Sequence, residues 1–452
     1  MTIARTSINH FIRRLEHVAQ HWKLALLLLT LLLVFSIENP PPASIEARVN
    51  RELAHERFNF VSWEIETIWQ KLGHSLLSPH HYVAEEDRRD LLLDYLDLVA
   101  ETQRLEGEIH RIYVDPDIED ADEATAELRA RRDELREAIS ARQSTAEAIL
   151  EEQVASVLEE EGFGVLGQEL PPVAVHFTPL PRLLIISPRD RIETLHQLSL
   201  THGLDVSEQE AIEGEIDATF DVSSLVTAIG GLSAYPSMVL ESTSINWVTE
   251  VVAHEWTHHY LAPRPLGRKY QSSGETRRIN ETVASIVGKD VGRKVVARYY
   301  PQHLPPEPEP TPEPEEQEDN GPLQRPAFNF RLEMRETRIR VDKLLQEGKI
   351  EEAEAYMEQR RKIFVEHGYA IRKLNQAYFA FHGAYAAEPG AAGEDPIGPA
   401  VQELFARSPD LQTFLNRIAT VTTLRELETV LDELRRDTAA GRFRFGIMRI
   451  PS

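Results

Sequence analysis

The sequence predicts a mainly α protein with a small mixed or antiparallel sheet, an α+β fold. Three observations predict it. Apolar residues recur at helical spacing through residues 45–161 and again through 328–436. Short aliphatic, strand-like runs bounded by Gly and Pro are confined to residues 173–240. Two further helical stretches, 243–261 and 278–297, follow those runs directly.

Composition narrows the function classes. The 452 residues have room for two or three domains. With 74 acidic against 49 basic residues the net charge is −25, which disfavours the broad basic face that nucleic acid requires. There is no cysteine, so disulfides, thiolate metal ligands and a thiol nucleophile are ruled out.

Residues 24–37 read LALLLLTLLLVFSI, without a charge or a helix breaker. Arg5, Arg13, Arg14 and Lys23 precede the run; Glu38 and three prolines follow it. The basic side marks residues 1–23 as a cytoplasmic tail and places the rest of the chain outside. The run is short for a span and matches the apolar region of a signal peptide. Its leader is long, however, and no small-residue cleavage pattern follows. Val18, Ala19 and Trp22 can lengthen the span, with Lys23 reaching back to the interface. The expectation is a single-pass cell-membrane anchor or uncleaved signal.

Residues 44–165 are expected to form a helical, coiled-coil-like domain. Helices are predicted over 45–77, 82–112 and 121–161, the last two as a hairpin. The strands expected in the next region, 166–300, cover 173–177, 183–187, 223–229 and 232–240, with an acidic helix over 206–220. Residues 301–327 include EPEPTPEPEE, an acidic Pro/Glu-rich linker that cannot bury apolar surface and is expected to be disordered. The C-terminal domain, 328–452, reads as helical over 328–386 with a break at Gly348-Lys349, then over 401–436.

The chemistry is concentrated in His254-Glu255-Trp256-Thr257-His258, an HExxH motif, and in Asn280-Glu281, 22 residues beyond the second histidine. Ser244 or Thr243 can cap the first helix and Pro263 ends it. Trp247, Val251, His254, His258 and Leu261 fall on one face, so the two imidazoles lie one turn apart and can share one metal ion. Glu255 sits one residue round, placed to take a proton from water activated by the ion without ligating it. Zn2+ is the expected cofactor, one ion, with Glu281 as third ligand and Glu275 as runner-up. Ala284, Ser285 and Gly288 share a face with Glu281 and let the two helices approach closely. A bland alternative pairs Glu281 with Arg277 or Arg278 on the surface. Leu261 and Arg264 stand where a metzincin needs Gly and His, which excludes that group. His259 is off the ligand face, and Asp290 is expected at most to support the site.

This pattern resembles the gluzincin, thermolysin-like branch of zinc metallopeptidases over roughly residues 225–295. The resemblance implies a zincin-like catalytic unit within the helical protein, ligands His254, His258 and Glu281, and Glu255 as general base. Where that group has an aspartate four residues beyond the third ligand, this chain has Ser285. In gluzincins the segment before the motif helix is an edge strand that pairs with substrate; here it is residues 231–239. The stretch 374–385 weakly resembles a downstream helix of bacterial aminopeptidases with an HExxH site. That likeness makes Tyr378, His382 and Tyr385, on one helical face, candidates for stabilising an oxyanion.

The expected function is a membrane-anchored, extracytoplasmic zinc metallopeptidase acting on a peptide or protein. Whether it trims ends or cuts internally stays open, as does its oligomeric state. Two alternatives stand beside it: a helical envelope scaffold with a structural or vestigial metal site, and a metal-dependent hydrolase of non-peptide amides.

Overall fold

A computed structural model describes residues 44–75, 84–113, 115, 118, 120–164, 169–306, 328–386 and 390–439. The apolar run 24–37 and the Pro/Glu-rich stretch from 307 to 327 lie outside these residues. Among the described residues, no helix is long and apolar enough to cross a membrane.

The protein is mainly helical with two small sheets, as expected. Helix α1 (Ile45–Glu52) is followed by α2 (Phe60–Ser75), α3 (Glu85–Tyr113), the single turn α4 (Ala121–Ala124) and α5 (Ala126–Leu158). The α3/α5 pair forms the predicted hairpin, burying Leu92, Leu96 and Val99 against Ile139, Ile149 and Val157. The helix expected over 45–77 is broken instead. The reason lies in the backbone of residues 56–58, which bonds to another part of the chain: Phe58 N–H donates to Ser199 O and Thr201 N–H to Glu56 O. Asn59 then restarts the helix by accepting from Ser62 N–H.

One three-stranded antiparallel sheet has the order β3–β2–β4, with β2 at Arg182–Pro188, β3 at His196–Leu200 and β4 at Val222–Thr227. Strand β3, HQLSL, is not foreseen by the sequence reading. Leu184, Ile186, Val222 and Val226 face α1 and α6 (Val206–Phe220), while Ile185 and Leu225 face Ala377 and Phe381 of α12 (Gln376–His382). This two-residue alternation is what a sheet covered on both sides requires.

The second sheet has the order β1–β6–β5, with β1 at Val175–Phe177, β5 at Gly231–Leu232 and β6 at Ser237–Val239. Strand β1 pairs parallel to β6, and β5 antiparallel. The outer edge of β1 is closed by α5: Glu151 accepts from Val175 N–H and Glu147 from Phe177 N–H, each at 2.8 Å. That leaves β5 as the other terminal strand.

Helix α7 (Ile245–Leu261) carries the HExxH motif, α8 (Pro265–Arg268) turns the chain, and α9 (Gly274–Tyr299) carries Glu281. The C-terminal part supplies α10 (Phe330–Gln346), α11 (Ile350–Glu366), α12, α13 (Ile397–Ala406), α14 (Leu411–Ile418) and α15 (Leu424–Ala439). The helix expected to run to 386 is interrupted a second time, at residues 367–375. Gly368 adopts φ +89°, and Tyr369 N–H bonds back to Phe364 O, which closes α11. One apolar core runs from α3 and α5 through α7 and α9 to α13–α15. The change of sequence character near residue 165 therefore does not divide the core.

Candidate metal centre

Helix α7 starts at Ser244, whose hydroxyl accepts from Trp247 N–H. Val248, Val252 and Trp256 form its most buried face, and Trp256 Nε1–H donates to Pro171 O at 2.7 Å. His254 and His258 are half-buried on an adjacent face that opens to a cavity. This face is shared between α9 and the cavity.

Helix α9 lies against α7 at glycine-limited distance. A Cβ on Gly288 would stand 2.8 Å from Glu250 O and 3.1 Å from His254 Cβ; one on Gly292 would stand 2.8 Å from Glu250 N. The close approach foreseen from the small residues of α9 is therefore present, and it brings Glu281 to the histidines. His254 Nε2 and His258 Nε2 are 3.1 Å apart, and Glu281 Oε2 is 3.5 Å and 3.6 Å from them. Ligands held at about 2.0–2.1 Å around a tetrahedral ion stand about 3.3 Å from one another. The triangle fits that spacing without rearrangement.

Three details support the fit. Glu281 Oε2 is buried and finds no hydrogen-bond partner among the described residues. His258 Nδ1 lies 2.7 Å from Asn280 Oδ1 and donates there, which leaves Nε2 as the ring atom that faces the triangle. Tyr270 donates its hydroxyl to Glu281 Oε1, fixing the carboxylate plane. The carboxylates favour positive charge at the His258 imidazole. Burial opposes charge on His258, yet Glu281, Glu255 and the Asn280 bond hold its pKa up to about 9. Burial likewise opposes charge on Glu281, but His258 and His254 beside it hold its carboxyl well below the usual range.

The rival ligands are engaged elsewhere. Glu275 accepts from Leu424 N–H at 2.8 Å, and Asp290 pairs with Lys294 at 2.8 Å. Arg278 pairs with Asp395 at 2.7 Å, so the surface pairing with Glu281 is not formed. Among the described residues, the cluster of possible ligands comprises His254, His258 and Glu281 alone.

The centre opens into a cavity of about 420 Å³, a size suited to a peptide-sized group. Glu255 lines it and accepts a hydrogen bond from the Ser233 hydroxyl. A Cβ on Gly231 would stand 2.3 Å from Glu255 Oε1, so a larger residue there would push the Glu255 carboxylate aside. Gly231 and Leu232 of β5 line the same cavity. His259 also reaches it, and burial, then the neighbouring His258, hold its pKa down to about 4.

Of the three aromatic candidates the structure brings one to the centre. Tyr385 lines the cavity, with its ring centroid 6.3 Å from that of His254. The residue as a whole is 38% exposed, yet desolvation of its hydroxyl, then the charges of Glu281 and Glu255, raise its pKa well above the usual tyrosine value. Tyr378 and His382 do not line the cavity; they pack on each other with ring centroids 4.2 Å apart and planes tilted by 43°. Helix α12 ends at His382, so the single helical face assumed for all three residues does not exist.

Tyr270, Ser233 and the buried Arg277 are the cavity residues that the sequence reading passes over as functional groups. Asn280 is the one partner with a visible signal, its position beside Glu281. Compared with family models, with curated proteins and with solved structures, the chain matches none.

Proposed function

We propose that this protein is a zinc-dependent metallopeptidase. The observation that carries the proposal is the triangle of two imidazole nitrogens and one carboxylate oxygen, opening onto a cavity beside a separate carboxylate, Glu255. A purely structural zinc site closes its shell with four protein ligands. Here three converge among the described residues, and all three line the cavity.

Zinc held by His254, His258 and Glu281 supplies a Lewis acid that polarises a carbonyl and acidifies water. The remaining chemistry belongs to side chains. Glu255, oriented by Ser233, takes a proton from the attacking water as its oxygen bonds to the peptide carbon. It then returns that proton to the departing amine as the C–N bond breaks. The Tyr385 hydroxyl, kept protonated, donates to the carbonyl oxygen as negative charge develops there. Strand β5 supports a peptide over other amides, since a terminal strand beside the centre can pair with an extended substrate backbone. The run 24–37 behind its basic leader supports anchorage in the cell membrane, with the catalytic part outside.

Glu255→Gln tests the reading. The variant is expected to fold and to keep one equivalent of zinc, while cleavage of a mixed peptide library falls by about 10²–10⁴-fold. Cleavage at the parent rate would remove Glu255 from this role.

A further inference from the structure

Arg277 lies one turn before Glu281 on α9 and lines the same cavity. It is only 7% exposed. Its Nη2 donates to Gln271 Oε1 at 2.6 Å, and the Tyr270 ring centroid lies 5.3 Å from its guanidinium carbon. These contacts fix the plane of the group. Its Nε–H and Nη1–H bonds find no acceptor among the described residues. The neighbouring Arg278 does not line this cavity and is ion-paired with Asp395, although its Nε–H too lacks a hydrogen-bond acceptor among the described residues.

A guanidinium keeps its charge at any physiological pH, so burial cannot neutralise it. Left without an acceptor, a buried charge is costly, and chains retain one where an incoming group completes its hydrogen bonds. The other acidic side chains of the cavity, Glu255 and Glu281, are committed to the centre with His254 and His258, and His259 stands outside that cluster. Arg277 is thus the one cation there, among the described residues, with donors to spare. The anionic group that a peptide brings is a carboxylate.

Resting on the peptidase reading for the class of ligand, we propose that Arg277 determines specificity by binding a carboxylate of the substrate beside the metal centre. The carboxylate comes either from an Asp or Glu side chain or from the peptide's own C-terminus. Both present the same planar pair of acceptors.

The test is calorimetric titration of zinc-loaded full-length protein carrying Glu255→Gln, so that binding is read without turnover. The probes are alanine hexapeptide amides with one Glu, or one Gln, at each position in turn, and the all-alanine hexapeptide with either a free or an amidated C-terminus. At least one carboxylate peptide is expected to bind about tenfold or more tighter than its neutral counterpart. Which series shows the gap identifies the source of the carboxylate. Adding Arg277→Gln is expected to shrink the gap to about twofold or less, with zinc content unchanged, and Arg277→Lys to restore part of it. Equal affinity for charged and neutral peptides, or no peptide binding, overturns the proposal even if either Arg277 variant fails to fold. So does a gap that survives Arg277→Gln. Carboxylate-selective binding together with no cleavage by the Glu255-containing chain sinks the peptidase reading and leaves the carboxylate site standing.

Discussion

His258 reaches the centre with its ring already oriented, and the group that orients it is Asn280. In thermolysin-like enzymes an aspartate four residues beyond the third ligand supports a histidine; Ser285 holds that position here. Asn280 takes over a supporting role from the other side of Glu281, its Oδ1 2.7 Å from His258 Nδ1. Asn280→Ala is expected to weaken zinc affinity by about 10–100-fold, read by competition with a chelator. Unchanged affinity would show that the bond contributes nothing to the centre. Tyr385→Phe addresses the oxyanion role. It is expected to lower kcat by about 10²-fold with zinc content intact, and an unchanged kcat would assign Tyr385 to packing. At this scale legibility followed local geometry. His254, Glu255 and His258 are readable because helical periodicity alone fixes their relative directions. Tyr270 and Ser233 are not, because each comes from a non-helical segment whose approach to a carboxylate is set by tertiary packing. Tyr378 and His382 mislead for a related reason: spacing implies a common face only while the helix continues.

The pairing of α7 with α9 is the element on which the centre depends. Gly288 and Gly292 let the two backbones come within a distance that no side chain would allow. Gly288→Ala places a methyl group 2.8 Å from Glu250 O, a backbone atom that cannot swing away. The expected cost is about 1–3 kcal/mol in urea unfolding, with weaker zinc binding as Glu281 is displaced. A variant as stable and as zinc-competent as the parent would mean that the helices tolerate wider separation. The sequence displayed this contact, since small residues recur beside Glu281 on one face. It did not display the break between α1 and α2 or the strand β3. The break comes from the pairing of residues 56–58 with residues 199–201, more than 140 positions away, and β3 from its antiparallel pairing along β2. Helical periodicity in residues 45–77 was real, but those backbone groups find partners elsewhere.

Across the whole molecule, α5 connects the N-terminal hairpin to the sheet that ends in β5. Glu147 is the junction. It is buried, pairs with Lys71 at 3.0 Å and His176 at 2.9 Å, and accepts from Phe177 N–H. Burial opposes its charge, but Lys71 and His176 prevail and hold its carboxyl down to about 2. Because the folded value is depressed, the stabilisation is fully present above the unfolded carboxyl range near 4.5 and is lost as pH falls toward 2. Glu147→Gln is therefore expected to destabilise the protein at pH 7 by on the order of 3 kcal/mol, with a smaller deficit at pH 3. Urea unfolding at the two pH values measures this, and an equal deficit at both would contradict the assignment. The fold class was legible from periodicity and composition. The single core uniting α3 and α5 with α7, α9 and α13–α15 was not, because the sequence between them changes character without interrupting the apolar surface.

The most direct measurement is anomalous diffraction at the zinc edge from crystals of the zinc-loaded protein. One peak is expected, about 2.0–2.2 Å from His254 Nε2, His258 Nε2 and Glu281 Oε2, with no fourth protein ligand. A peak elsewhere, or a shell closed by a fourth side chain, would contradict the account.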